Sequence, residues 1–351
     1  MDTYKQILER LARERRVSHS EMVRLVEGAN EERLAWASGL AREIRSEHFG
    51  NGVFLRALME ISNCCRGGCY YCGLRAENDH LRRYTLSTEE IVGVCREGYG
   101  LGFRSFVLQS GEVLGRAEEV AEVVRRVKSE MPEVAVTLSL GEQSAEVYEL
   151  WRRAGADRYL LRHESATRSH YEALHPKRMS FEGRQECLST LRHLGYQVGA
   201  GFMVGSPYQG AEELAREVEY VGEWQPEMVG IGPFIPQSHT PFADFKRGSV
   251  ELTLLMVALT RIVLPKALIP ATTALASADE RGTLRGLGAG ANVVMPNLTP
   301  VEVRADYAIY DGKKISREES AEGLDLLCEM LQEGGYQPLL TRGDHPDFRI
   351  D

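Results

Sequence analysis

"VFLRALMEISNCCRGGCYYCGL", residues 53–74, joins an apolar run to four cysteines held within nine positions. The run over 53–61 reads as a β-strand, and the glycines Gly67 and Gly68 suit a loop that wraps closely around something. The cysteines are Cys64, Cys65, Cys69 and Cys72. Residues 1–20 are polar and amphipathic, with no apolar core of a secretory signal, so a cytoplasmic protein is expected. Structural disulfides are rare there, and seven cysteines with four crowded together point to a metal or to catalysis. A structural zinc site takes four ligands, usually from two paired motifs, and no second Cys/His pair at matching spacing follows. A ferredoxin-type 4Fe–4S cluster takes four cysteines, one per iron. The spacing Cys65-x3-Cys69-x2-Cys72 supplies three and leaves one iron open to another molecule. Cys64 adjoins Cys65 and projects in a different direction, so it is read as a bystander.

Outward from this loop, short apolar runs alternate with longer amphipathic ones. Strands are predicted at 53–61, 105–109, 134–140, 158–163, 198–204, 228–235, 268–273 and 291–296. Helix-like stretches lie between them, among them 118–131, 252–264 and one opened by the capping box Ser87 to Glu90. Eight such alternations are the arithmetic of a TIM-type (β/α)8 barrel, an α/β fold. A doubly wound open sheet is the alternative, and periodicity alone does not separate the two. The expected organisation is an N-terminal helical extension (1–50), the barrel (51–300), and a C-terminal helical cap with a loose tail (301–351). Several strand ends are polar or glycine-rich: Glu60 and Ser62, Gln109 to Glu112, Gly141-Glu142, Arg162 to Glu164. In a barrel such ends converge on the face that carries active sites.

Of the 351 residues, 43% are hydrophobic and 26% charged, and the net charge is −9 with no long basic run. That balance disfavours nucleic acid as a partner. No apolar stretch approaches the roughly 18 residues of a membrane span.

The Cys65-Cys69-Cys72 spacing resembles that of the radical S-adenosylmethionine (SAM) superfamily. The stretches "ISNCCRGGCYYCGLRAEN", "VLQSGE", "VTLSLGE", "GADRYLLRHESA", "MVGIGPFIPQSHTP", "IPATTAL" and "GANVVMPNLTP" together resemble the HydE family of FeFe-hydrogenase maturases over about residues 50–300. The resemblance implies one 4Fe–4S cluster on the three cysteines, and SAM as cosubstrate. It implies a 5′-deoxyadenosyl radical formed by reductive cleavage of SAM. Around SAM it implies Tyr71 near the adenine, the segment Gln109, Ser110, Gly111 and Glu112, and Glu164. Arg184 would meet the SAM carboxylate, and Met228 would line the adenosine pocket. Arg56, Thr137, Arg158, Arg162, Thr272 and Thr273 would form a polar, anion-accepting substrate cavity, with Tyr307 and Met295 closing it. Structural salt bridges are the competing reading for the arginines. His163 is either a proton carrier or an orienting group, and Cys95 and Cys187 read as core thiols.

The substrate implied is small and cysteine-derived, an iron–carbonyl–cyanide–cysteine species. The partners implied are HydG- and HydF-like maturases and a ferredoxin- or flavodoxin-type electron donor. A radical SAM mutase or sulfur-insertion enzyme, of the methylornithine synthase or biotin synthase type, is the alternative. Sulfur insertion uses an auxiliary cluster, and the C-terminal region offers only Cys328 for one.

Overall fold

In the computed structural model, residues 3–313 and 323–348 are described. The strands are β1 (Gly52–Leu55), β2 (Ala57–Ser62), β3 (Ser105–Ser110), β4 (Ala135–Ser139), β5 (Arg158–Leu160), β6 (Gln197–Val204), β7 (Met228–Pro233), β8 (Val293–Val294) and β9 (Gln337–Leu339). β2 to β7 form a parallel sheet in sequential order, each strand joined to the next through a helical connection. Such strands are covered on both faces and read as continuous apolar runs. β6, buried at all eight positions, is the clearest case.

The sheet returns on itself, which separates barrel from open sheet. Val229 N–H donates to Leu268 O, Asn292 N–H to Ile269 O, and Ala271 N–H to Val293 O. Leu58 N–H then donates to Pro296 O, and Leu298 N–H to Leu58 O. The segments 268–270 and 293–297 are therefore the seventh and eighth staves, and the fold is the (β/α)8 barrel. The predicted strand 53–61 is broken at Arg56. β1 pairs with β8 and β9, while β2 enters the barrel proper.

Local chemistry explains the helices. Ser87 caps the helix Thr88–Gly100 through the predicted box with Glu90. The helix Val250–Val263 is apolar nearly all round, as a helix must be when covered on several sides. It lies between the barrel and the helix Glu31–Phe49. Cys95 is fully buried in the core.

The described part of the tail, up to residue 348, is anchored at Gly343 and Asp344. Residues 340–348 run beneath the N-terminal ends of the strands, where Gly343 O accepts from Arg56 and Asp344 meets both Arg158 and Gln197. Residues 301–313 lie at the opposite end, over the barrel mouth, and Tyr307, Ile309, Tyr310 and Lys313 border its cavity. The described residues 301–313 and 340–348 thus lie at opposite ends of the barrel.

Candidate active site

The loop after β2 carries the cysteines onto the C-terminal face of the barrel. There a cavity of about 330 Å³ is bordered by Cys65, Cys69 and Cys72, and by the ends of β2 to β7. Gly111 explains how the loop comes so close to β3. A Cβ on it would stand 2.2 Å from Cys64 O and 2.6 Å from Cys65 Cβ. Its missing side chain therefore serves the contact with the cysteine loop. The Gly67 and Glu112 amides both point at Cys65 Sγ, each at 3.3 Å. Such N–H groups stabilise a thiolate or a sulfur bound to iron. Burial pushes the Cys72 thiol up to about 12 and the Cys69 thiol well above its ordinary value. Free thiols here stay protonated, and binding to a metal is what makes them thiolates.

Among the described residues, no three His, Cys, Asp or Glu side chains come close enough to hold a single metal ion. Cys64 faces elsewhere, its sulfur 3.7 Å from Tyr84 O and 3.8 Å from Thr85 Oγ1.

Arg184, on the helix Phe181–His193, is buried against the cavity. Its Nη1 donates to Arg162 O, and its Nε lies 2.6 Å from Glu142 Oε1. The two thus place a guanidinium donor and a carboxylate acceptor side by side next to the cavity, paired with each other. The residues present therefore suit SAM, whose carboxylate and ammonium offer one of each. Glu164 sits at φ 67°, a left-handed conformation costly for a residue with a Cβ. Burial raises its carboxyl, but Arg162 and Arg184 outweigh burial and hold it below the usual range.

His163 fixes that strained turn. It is fully buried, accepts from Gly201 N–H at Nδ1, and meets Glu217 through Nε2 at 2.6 Å. Glu217 also accepts from Ala166 N–H. Enclosed in this way, His163 does not border the cavity.

Tyr71, Gln109, Ser110, Glu112, Arg162, Thr272 and Thr273 also border the cavity. Thr272 is committed elsewhere, capping the helix Thr273–Ala278 and donating to Ile231 O. Four expectations are corrected. Met228 lies at the start of β7, where its sulfur meets Arg56 Nη1 at 3.1 Å, and Gly230, Gly232 and Pro233 reach the cavity in its place. Arg56, Thr137 and Arg158 do not border it either. Arg56 and Arg158 turn toward the C-terminal tail, where Gly343 O accepts from Arg56, and Arg342 O and Asp344 accept from Arg158. Thr137 lies beside Arg158 in the strand register, below the mouth.

His175 and Lys313 emerge from the structure, and Glu142 and Glu60, named above only as polar strand ends, gain partners. Glu142 pairs with Arg184, and a polar strand end is its signal in sequence. His175 Nε2 lies 3.4 Å from Tyr71 OH, and burial lowers its pKa to about 4, so it stays neutral. Glu60 ends β2 and pairs with Lys313. Burial raises the Glu60 carboxyl, and Lys313 pulls it back.

Comparison with known proteins bears on this geometry. Residues 59–221 match the family described as the Radical SAM superfamily. The HydE subunit of the [FeFe] hydrogenase maturase of Thermotoga maritima is 46% identical over 300 residues, 85% of each chain. The chain belongs to the HydE family of radical SAM enzymes. As a HydE-family protein it uses a 4Fe–4S cluster and SAM, the cofactors of that superfamily. 3-Methylornithine synthase of Methanosarcina acetivorans is 30% identical over 92% of this chain and 90% of its own. A crystal structure of methylornithine synthase superposes with a TM-score of 0.82 at 26% identity, over 95% of this chain and 97% of the other. The HydE-family chain thus shares its fold with methylornithine synthase. Among its described residues no helix is long and apolar enough to cross a membrane.

Proposed function

We propose that this protein acts in assembly of the FeFe-hydrogenase cofactor, in the cytoplasm, on a small cysteine-derived substrate, an iron–carbonyl–cyanide–cysteine species. HydG- and HydF-like maturases would be its partners, and a ferredoxin- or flavodoxin-type protein its electron donor. Cys65, Cys69 and Cys72 hold the cluster. Arg184 binds the SAM carboxylate with Glu142 behind it, Glu164 takes an ammonium or hydroxyl group, and Tyr71 flanks the adenine. When bound, the cluster and SAM together supply a 5′-deoxyadenosyl radical. The chain's own share is positioning: the closed barrel and residues 301–313 enclose the site and exclude water. The observation that carries this reading is one cavity bordered at once by three cysteines, Arg184, Glu164 and Thr273, in a chain 46% identical to a HydE.

The likeness to methylornithine synthase favours a second reading, a mutase acting on an amino acid. In vitro maturation separates the two. With HydG- and HydF-like proteins the wild type should activate apo-hydrogenase, and with lysine it should yield no methylornithine. Failure of the first together with success of the second would replace the HydE reading.

A further inference from the structure

Two opposite charges are buried in the wall of the cavity with no part in the cofactor chemistry above. Glu60, 1% exposed, ends β2, and Lys313 reaches it from the segment over the mouth with its side chain 8% exposed. Both border the cavity. A buried ion pair is a weak means of stabilising a barrel, because desolvation offsets most of its attraction. Glu60 Oε2 meets Asn297 Nδ2 only at 3.3 Å and Thr299 Oγ1 only at 3.5 Å. Beyond Glu60, Lys313 Nζ donates to Tyr307 O, and it sits 4.8 Å from the centre of the Tyr307 ring.

The other charges of the cavity already face partners: Arg162 with Glu164, Arg184 with Glu142, and Arg66 with Glu112. Those pairs belong to the ends of β3 to β5, to the helix carrying Arg184 and to the cysteine loop. Glu60 and Lys313 belong to the wall made by β2, the eighth stave and the segment 305–313.

We propose that Glu60 and Lys313 form a zwitterion clamp, the carboxylate receiving the ammonium, and Lys313 the carboxylate, of an α-amino-acid group on the substrate. The clamp rests on the proposed small, amino-acid-derived substrate and names the residues that would recognise it. Without substrate, each ion serves as the other's counter-charge. The arriving zwitterion replaces one internal ion pair by two intermolecular ones. Net charge in the cavity is unchanged, and no proton has to move. Asn297 and Thr299 keep one carboxylate oxygen oriented during the exchange. A second consequence is mechanical: when Lys313 turns to the substrate, its hold on Glu60 is released, coupling the segment over the mouth to occupancy.

The competing reading makes the pair a latch for residues 305–313 and nothing more. Calorimetric titration of the cluster-loaded, SAM-bound protein distinguishes them. The probes are S-methyl-L-cysteine, the amine it gives on loss of its carboxylate, and the acid it gives on loss of its ammonium group. The wild type should bind the amino acid about tenfold or more tightly over either analogue, the scale of one charged hydrogen bond. Lys313→Met should erase the preference over the amine, and Glu60→Gln the preference over the acid. Lys313→Arg should retain both. The double variant Glu60→Gln/Lys313→Met leaves no lone buried charge, which guards against unfolding, and should bind all three probes within about twofold. If the double variant keeps the wild-type preferences, the clamp is wrong and the pair is a latch. A wild type that shows no preference would overturn the clamp and the amino-acid-derived substrate together.

Discussion

Replacing Asp344 by Asn tests what holds the tail against the barrel. Asp344 Oδ1 lies 2.5 Å from Arg158 Nη2 and 2.8 Å from Gln197 Nε2, and its Oδ2 lies 2.8 Å from Arg342 Nε. Arg158 is wholly buried, and Arg56, also buried, stands near enough to repel it. Burial alone would raise the Asp344 carboxyl; Arg158 and Arg342 instead lower it from 3.8 to about 2. At 1.36 kcal/mol per pH unit, that gap has an upper bound of about 2.5 kcal/mol. Asp344 keeps some contact with water, which screens the pair, so about 1–2 kcal/mol is expected. This is less than the roughly 3–5 kcal/mol lost on breaking a wholly dry pair, because Arg158 retains Ser105 Oγ and Arg342 O.

Urea unfolding at pH 7 should therefore show a lower midpoint for Asp344→Asn with an unchanged slope. The pH dependence follows from the sign of the shift. A depressed carboxyl stabilises the fold above pH 3.8 and loses that contribution as the pH falls toward about 2. The gap between the two proteins should close through that window. Equal midpoints at pH 7 would refute the reasoning.

Other outcomes follow from the same geometry. Cys65→Ala, Cys69→Ala and Cys72→Ala should each lose SAM cleavage, whereas Cys64→Ala should keep a full complement of iron, as measured by iron and sulfide assay. Arg184→Lys keeps the charge and loses the fork, so SAM affinity should fall by about 1–3 kcal/mol in a binding titration, with cluster content unchanged. Arg56→Met removes a poorly compensated buried charge at the closed end of the barrel. It should shift the unfolding free energy by no more than about 1 kcal/mol and leave SAM affinity untouched; weakened SAM binding would return Arg56 to the site.

Residues whose role is written in local pattern were legible. The cysteine spacing, the capping box at Ser87 and the eight alternations all depend on neighbours a few positions away. What was not legible depends on which end of a strand a side chain occupies. Arg56 and Glu60 stand four residues apart along one predicted strand, yet one meets the C-terminal tail and the other the cavity. Met228 and Gly230 divide in the same way along β7. Periodicity reports the face of a strand and carries no information on depth along the barrel axis. The anchoring of the tail was equally hidden, since Asp344 meets Arg158 across 186 positions of sequence. Lys313 was invisible for a similar reason, its partner Glu60 lying 253 positions away.

The central claim is that the mouth cavity is a generator of radicals from SAM built on three cysteines. Its most direct measurement is 5′-deoxyadenosine formed by anaerobically reconstituted protein from SAM and dithionite. The account predicts formation by the wild type and by Cys64→Ala, and none by Cys72→Ala at equal protein concentration. Wild-type protein carrying four irons and binding SAM, yet forming no 5′-deoxyadenosine, would contradict it.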